Sequence, residues 1–145
     1  MPIKSYASTV LSAPADEVWR FLRDFGNLAD WMPGVATCAI EDGGPADRVG
    51  CVRRVIGPGD TVFREQLSGM DDDDRFYRYR MLESPLPIRD YVARIRVAPV
   101  TGGGGSFVEW QGEFSADAAD EEAMRKTITD AIYNPALEAL GKRFS

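Results

Sequence analysis

The sequence predicts one α+β domain, residues 1–145, in which a seven-stranded antiparallel curved sheet wraps around a long C-terminal helix, with two short helices after the first strand. Three observations lead there. First, Asp117 to Phe144 is the longest helical pattern in the chain: Met124, Ile128, Ala131, Ile132, Ala136 and Ala139 recur at three- and four-residue spacing, the period of a helix with one buried face. Second, residues 35–115 read as strands divided by turn residues, with no further helical stretch. Third, at about 1.5 Å per residue the last helix is roughly 36 Å long, enough to cross six or seven strands about 4.8 Å apart.

In chain order, Ile3 to Leu11 reads as a strand, with Tyr6, Ser8 and Val10 alternating against Ser5, Ala7 and Thr9. Ser12 can cap a helix with Pro14, Asp16 and Glu17 in its first turn and Val18, Phe21, Leu22 and Phe25 as its apolar stripe, ended by Gly26. Asn27 to Met32 reads as a second short helix, broken by Pro33 and Gly34. Six strands follow: Val35 to Glu41, Val49 to Ile56, Thr61 to Gly69, Arg75 to Glu83, Ile88 to Val100 and Ser106 to Ser115. Their connections are short enough for hairpins, so the strands form a meander. In the last helix Asp117 can cap the start, and Lys142 and Arg143 suit the negative end. Pro135 removes a hydrogen bond at a cost of about 3 kcal/mol, and a kink is expected there.

Composition narrows the function classes. The 145 residues are 44% hydrophobic and 28% charged, the balance of a globular chain with a real core. With no apolar run of about 18 residues, no stable membrane insertion is expected, and with no signal-peptide layout at the start the expected location is cytoplasmic. Seventeen basic against 23 acidic residues give a net charge of -6, which disfavours nucleic acid as a general partner. There is no histidine, so the commonest general base and metal ligand are missing. Asp71 to Asp74 lacks the length and glycine of a calcium loop, and Gly102 to Gly105 lacks the Lys-Ser or Lys-Thr of a phosphate loop. No metal and no cofactor are expected. Cys38 and Cys51 lie nearly opposite across a turn at Gly44 and read as two buried free thiols.

Directly opposite residues of an antiparallel pair share a face, so each hairpin centre fixes neighbours. A turn at Gly59 sets Arg53 opposite Glu65, one at Asp72 sets Glu65 opposite Tyr79, and one near Leu86 sets Tyr79 opposite Ala93, with Tyr91 two residues along. Arg53, Glu65, Tyr79 and Tyr91 then form a polar row on a face that also carries Phe63, Leu67, Tyr77, Met81, Ile95 and Val97. The other face carries Arg54, Arg64, Arg78, Arg80, Arg94 and Arg96 and must meet solvent. The helix therefore covers the first face, and a buried Arg53 and Glu65 should pair with each other. The last strand is open: hydrophobicity buries Trp110, whereas cation–π contact with the arginine stripe would turn Trp110 out and Glu109 in. The second orientation is the one adopted.

The segments Gly50-Cys51-Val52-Arg53-Arg54-Val55, Glu65-Gln66-Leu67 and Ser84-Pro85-Leu86-Pro87-Ile88-Arg89-Asp90-Tyr91, in this order before a closing helix, resemble the START-like helix-grip superfamily. Within it the chain is most similar to the polyketide cyclase/dehydrase and lipid-transport group of small bacterial proteins, and more distantly to plant abscisic-acid receptors. The resemblance runs from Ala13-Pro14-Ala15-Asp16-Glu17-Val18-Trp19 to Leu140. It implies an elongated apolar cavity between sheet and helix, lined by Arg53, Glu65, Tyr79, Tyr91 and Glu109, with Ile128, Ile132 and Ala136 facing it from the helix. Its mouth would be Gly57-Pro58-Gly59 and Pro85-Leu86-Pro87. The lysine that holds the hormone's carboxylate in the plant receptors falls on Ala36, and their Ser-Gly-Leu-Pro gate is replaced by Gly57-Pro58-Gly59, so hormone perception is not carried over.

The function read from these residues is binding or transport of a small, mostly hydrophobic molecule, polyketide-, aromatic- or lipid-like. Trp31, Phe63, Tyr77 and Met81 join the row as candidate contacts, although aromatics and methionines at such spacing are more often plain core. The alternative is a cyclase- or dehydratase-type enzyme, with Glu65 as base, Tyr79 or Tyr91 as acid and Arg53 stabilising an enolate. A ligand-gated protein-interaction module is a third class. Ligand identity and oligomeric state are not readable from the residues.

Overall fold

A computed structural model describes residues 2–145; Met1, the first residue of the expected domain, lies outside the described residues. Seven strands form one antiparallel sheet in the order β1-β7-β6-β5-β4-β3-β2. They are β1 (Ile3–Leu11), β2 (Thr37–Ile40), β3 (Val52–Ile56), β4 (Val62–Asp71), β5 (Phe76–Glu83), β6 (Arg89–Pro99) and β7 (Ser106–Ser115). The expected meander is present, with β1 closing on β7.

Helix α1 (Ala15–Leu22) starts at Pro14, whose extended backbone leads into the first turn, and the Ser12 side chain does not cap it. Its buried face is Ala15, Val18, Trp19 and Leu22. Trp19 donates from Nε1 to Asp72 at 2.8 Å, and Arg23 donates from Nε to the same oxygen at 2.9 Å. The acidic β4–β5 turn thus anchors α1 and the residue that follows it. A single 3-10 turn, Leu28–Asp30, stands where the second helix was expected.

The C-terminal helix begins at Glu121 rather than beside Asp117, and has three parts: α2 (Glu121–Lys126), a π-helical stretch Thr127–Tyr133, and α3 (Asn134–Arg143). Pro135 falls in the first turn of α3, where no amide hydrogen is needed. The wider π turn ahead of it absorbs the missing bond. It also widens and advances the buried stripe, so that burial runs Ile128, Tyr133, Ala136, Leu137, Leu140, with the expected Ile128 and Ala136 among them. The expected stripe continued through Ile132 and Ala139 instead.

The outer sheet face is the arginine face. Arg64 forks onto Glu41 at 2.6 and 2.8 Å, Arg80 donates to Gln66 at 2.6 and 2.8 Å, and Arg94 reaches Glu109 at 3.4 Å. Trp110 is buried, opposite Ile95, while Glu109 lies opposite Arg96 on the outer face. The orientation adopted for the last strand is corrected: burial of a large indole outweighs a cation–π contact at the surface. Cys38 pairs in register with Val55 and not with Cys51, because the loop before β3 is longer than a turn at Gly44 allows.

Candidate functional site

Between the concave face and the C-terminal helix lies a cavity of about 280 Å³. Three strands and a bulge set its polar floor. Arg53 and Glu65 are directly opposite across β3 and β4, and Arg53 donates from Nε to Glu65 Oε1 at 2.7 Å. Glu65 lies opposite Met81 rather than Tyr79, and Tyr79 lies opposite Leu67. The turn pairs Asp71 with Phe76, an extra β4 residue at Ser68 shifts the register by one, and an extra β5 residue at Leu82 shifts it back beyond Glu65. Parity survives, so the row still shares one face, displaced by two residues. On β6 a bulge between Arg89 and Val92 centres on Asp90, whose φ is +56°. Arg89 and Asp90 both face out, and Tyr91 turns in.

Arg53 is 1% exposed. It also donates from Nη1 to the Phe25 carbonyl at 3.2 Å, and its guanidinium lies 3.9 Å from the Phe25 ring centre and 4.9 Å from that of Tyr79. Burial pushes the group towards losing its charge, and the attraction of Glu65 more than offsets this and holds the pKa above the ordinary value. Next to this pair runs a chain of hydroxyls. Trp110 donates from Nε1 to Tyr79 at 3.0 Å, the Tyr79 and Tyr91 hydroxyls are 3.3 Å apart, and Tyr91 bonds the Tyr133 hydroxyl. Burial raises the pKa of all three phenols, those of Tyr79 and Tyr91 most clearly. At neutral pH they are uncharged donors. The Trp110 and Tyr133 rings stack, 4.4 Å between centroids at 17°.

Of the residues singled out in the sequence, Arg53, Phe63, Glu65, Tyr79, Met81, Tyr91, Ile128 and Ile132 line the cavity, as do Gly57, Pro58 and Leu86 at the loops. Others sit elsewhere. Trp31 is buried behind Trp110, with their rings 6.2 Å apart. Tyr77 lies beyond the β4 irregularity, edge-on to Phe25 at 5.4 Å, and touches the row through Arg53 Nη1 at 3.5 Å and the Tyr79 ring, 6.0 Å between centroids. Ala136 is wholly buried in α3, which packs on β1 away from the mouth. Glu109 is on the outer face. Gly59, Pro85 and Pro87 are not in the lining, because Gly57, Pro58 and Leu86 occupy the inward positions of those turns.

Trp110 and Tyr133 are the members of the network that sequence reasoning missed. For Trp110 the signal was present as plain hydrophobic alternation in β7. For Tyr133 there was none, since it enters the buried stripe only through the π turn. Leu28, Met32, Val35 and Ile88 complete the apolar wall.

A helix-grip protein with an apolar cavity and a short polar row is the class that fold and site define. The chain belongs to the polyketide cyclase / dehydrase and lipid transport family, whose profile matches residues 2–145. Among solved structures it is similar to protein XoxI of Bacillus cereus, at 29% identity over 98% of this chain and 95% of that one, with a TM-score of 0.84. An uncharacterised protein of Bacillus thuringiensis is 28% identical over 97% and 98% of the two chains, TM-score 0.86. Norcoclaurine synthase of Thalictrum flavum, solved with dopamine and hydroxybenzaldehyde, shares the fold at 21% identity over 99% and 86%, TM-score 0.79.

Proposed function

We propose that the protein binds a small, mostly apolar molecule in the cavity between sheet and C-terminal helix. The observation that carries this reading is a space of about 280 Å³ walled by Leu28, Val55, Phe63, Met81, Ile88 and Ile128, with its polar groups gathered on one side. A core that merely satisfied its own polar groups would close over them, because empty apolar volume costs packing contacts. The size is at the lower end for small-molecule pockets, roughly 300–1,000 Å³, and suits a body of one or two rings. Membership of a family described by cyclase, dehydrase and lipid-transport activities supports a ligand-handling role. Among the described residues no helix is long and apolar enough to cross a membrane.

The enzyme reading is less favoured by the same geometry. Glu65 accepts from Arg53 Nε at 2.7 Å, so one oxygen of the candidate base is already committed to a buried ion pair. Native mass spectrometry against a library of aromatic, polyketide and lipid compounds tests the binding reading. The expected result is a one-to-one adduct with wild type that disappears in Ile132→Trp, which fills the cavity. Absence of any adduct, or one retained by that variant, contradicts it.

A further inference from the structure

Resting on that reading, we infer that the cavity selects neutral molecules carrying a hydrogen-bond acceptor, such as a carbonyl or ether oxygen, and rejects carboxylates. The first argument is a proton count. Tyr79, Tyr91 and Tyr133 bring three hydroxyl protons, and the two contacts Tyr79–Tyr91 and Tyr91–Tyr133 use one each. Trp110 adds a further donor, already aimed at Tyr79. One phenolic proton therefore has no acceptor among the three hydroxyls, whichever way the bonds point, and no hydrogen bond joins them to Glu65 among the described residues. It rests on Tyr79, Tyr91 or Tyr133. The first two line the cavity, whereas Tyr133 is wholly buried outside the lining, with no other hydrogen bond among the described residues. A buried donor left without an acceptor loses its hydration with nothing in return, so the arrangements that present the spare proton to the cavity prevail. An acceptor on the ligand completes the network.

The second argument is charge. Among the described residues Arg53 and Glu65 are the only charged side chains in the lining, and they neutralise each other. Arg53 donates from Nε to Glu65 and from Nη1 to the Phe25 carbonyl and Tyr77, and its single positive charge is matched by the negative charge of Glu65. Glu65 Oε2 receives no hydrogen bond from the described residues, so the open oxygen on this side of the cavity is anionic. A ligand carboxylate would lose its hydration and place a second negative charge beside the single cation that Glu65 already matches.

Calorimetric titration of the wild-type chain with three probes of one shape, 2-acetylnaphthalene, 2-ethylnaphthalene and 2-naphthoate, tests the selection. The ketone should bind about tenfold more tightly than the hydrocarbon, and the carboxylate more weakly than either. The carbonyl carbon-13 resonance of the bound ketone should move downfield of its position in hydrocarbon solvent. Glu65→Gln, which keeps an acceptor for Arg53 but frees its charge, should reverse the order and favour the carboxylate. Equal binding of ketone and hydrocarbon, or tightest binding of the carboxylate to wild type, overturns the inference while leaving the binding reading standing. If none of the probes binds and the compound library also yields no adduct, the binding reading itself falls.

Discussion

Arg53 and Glu65 are the two charged side chains withdrawn from water on the inner face, and each makes the other tolerable. Removing either should therefore cost far more than removing both. Arg53→Ala or Glu65→Ala leaves an uncompensated buried charge, about 3–5 kcal/mol less stable, whereas Arg53→Met with Glu65→Leu should approach wild type. Urea unfolding of the four proteins checks this, and additive losses would mean that the pair is not coupled. The phenols set an alkaline limit. Tyr77, Tyr79, Tyr91 and Tyr133 all have pKa values raised chiefly by burial. Their stability contribution is complete below the unfolded value of about 10 and is lost as the pH rises from there towards the folded values, at about 1.4 kcal/mol per pH unit for each tyrosine. Unfolding followed at increasing pH should show that slope, reduced in Tyr91→Phe.

At the scale of elements, the hydroxyl chain depends on one missing side chain. Gly112 in β7 faces inward, and a Cβ there would press on the Tyr133 hydroxyl and stand 3.2 Å from Tyr91 Cε2. Gly112→Ala should cost about 1–3 kcal/mol by overpacking and break the Tyr91–Tyr133 contact, detectable as a changed environment of the stacked Trp110 in near-ultraviolet circular dichroism. An unchanged spectrum and midpoint would show that the sheet and helix have slack there. The sequence made β1 and β7 legible to the residue, because alternation and turn residues bound them. Arg53 opposite Glu65 and Tyr79 opposite Ala93 were also legible, since both hairpins are regular at those pairs. The Glu65–Tyr79 pairing was not, because four successive aspartates leave the turn centre open and the bulge at Ser68 leaves no local mark in composition. Tyr133 was hidden for a similar reason: the π turn adds a residue to a period that sequence patterns assume to be constant.

Considered as a whole, the molecule places its charges and its apolar surface on opposite sides of one sheet. The convex side holds arginines matched by glutamates and Gln66. The concave side holds the aromatic row, and the long helix closes it except where Gly57, Pro58, Leu86 and Met32 surround the cavity. That division was readable from strand parity, because six arginines on one face leave no choice about which side is covered. The volume that remains after packing was not readable, since it depends on how Trp110, Tyr133 and the helix fit together. The most direct measurement is methyl NMR of protein labelled at isoleucine and methionine, titrated with 2-acetylnaphthalene. Saturable shifts at Met32, Met81, Ile88, Ile128 and Ile132, with Met70 and Met124 outside the lining unchanged, are the predicted result; no saturable shift, or shifts centred on Met70 or Met124, would contradict the cavity as the binding site.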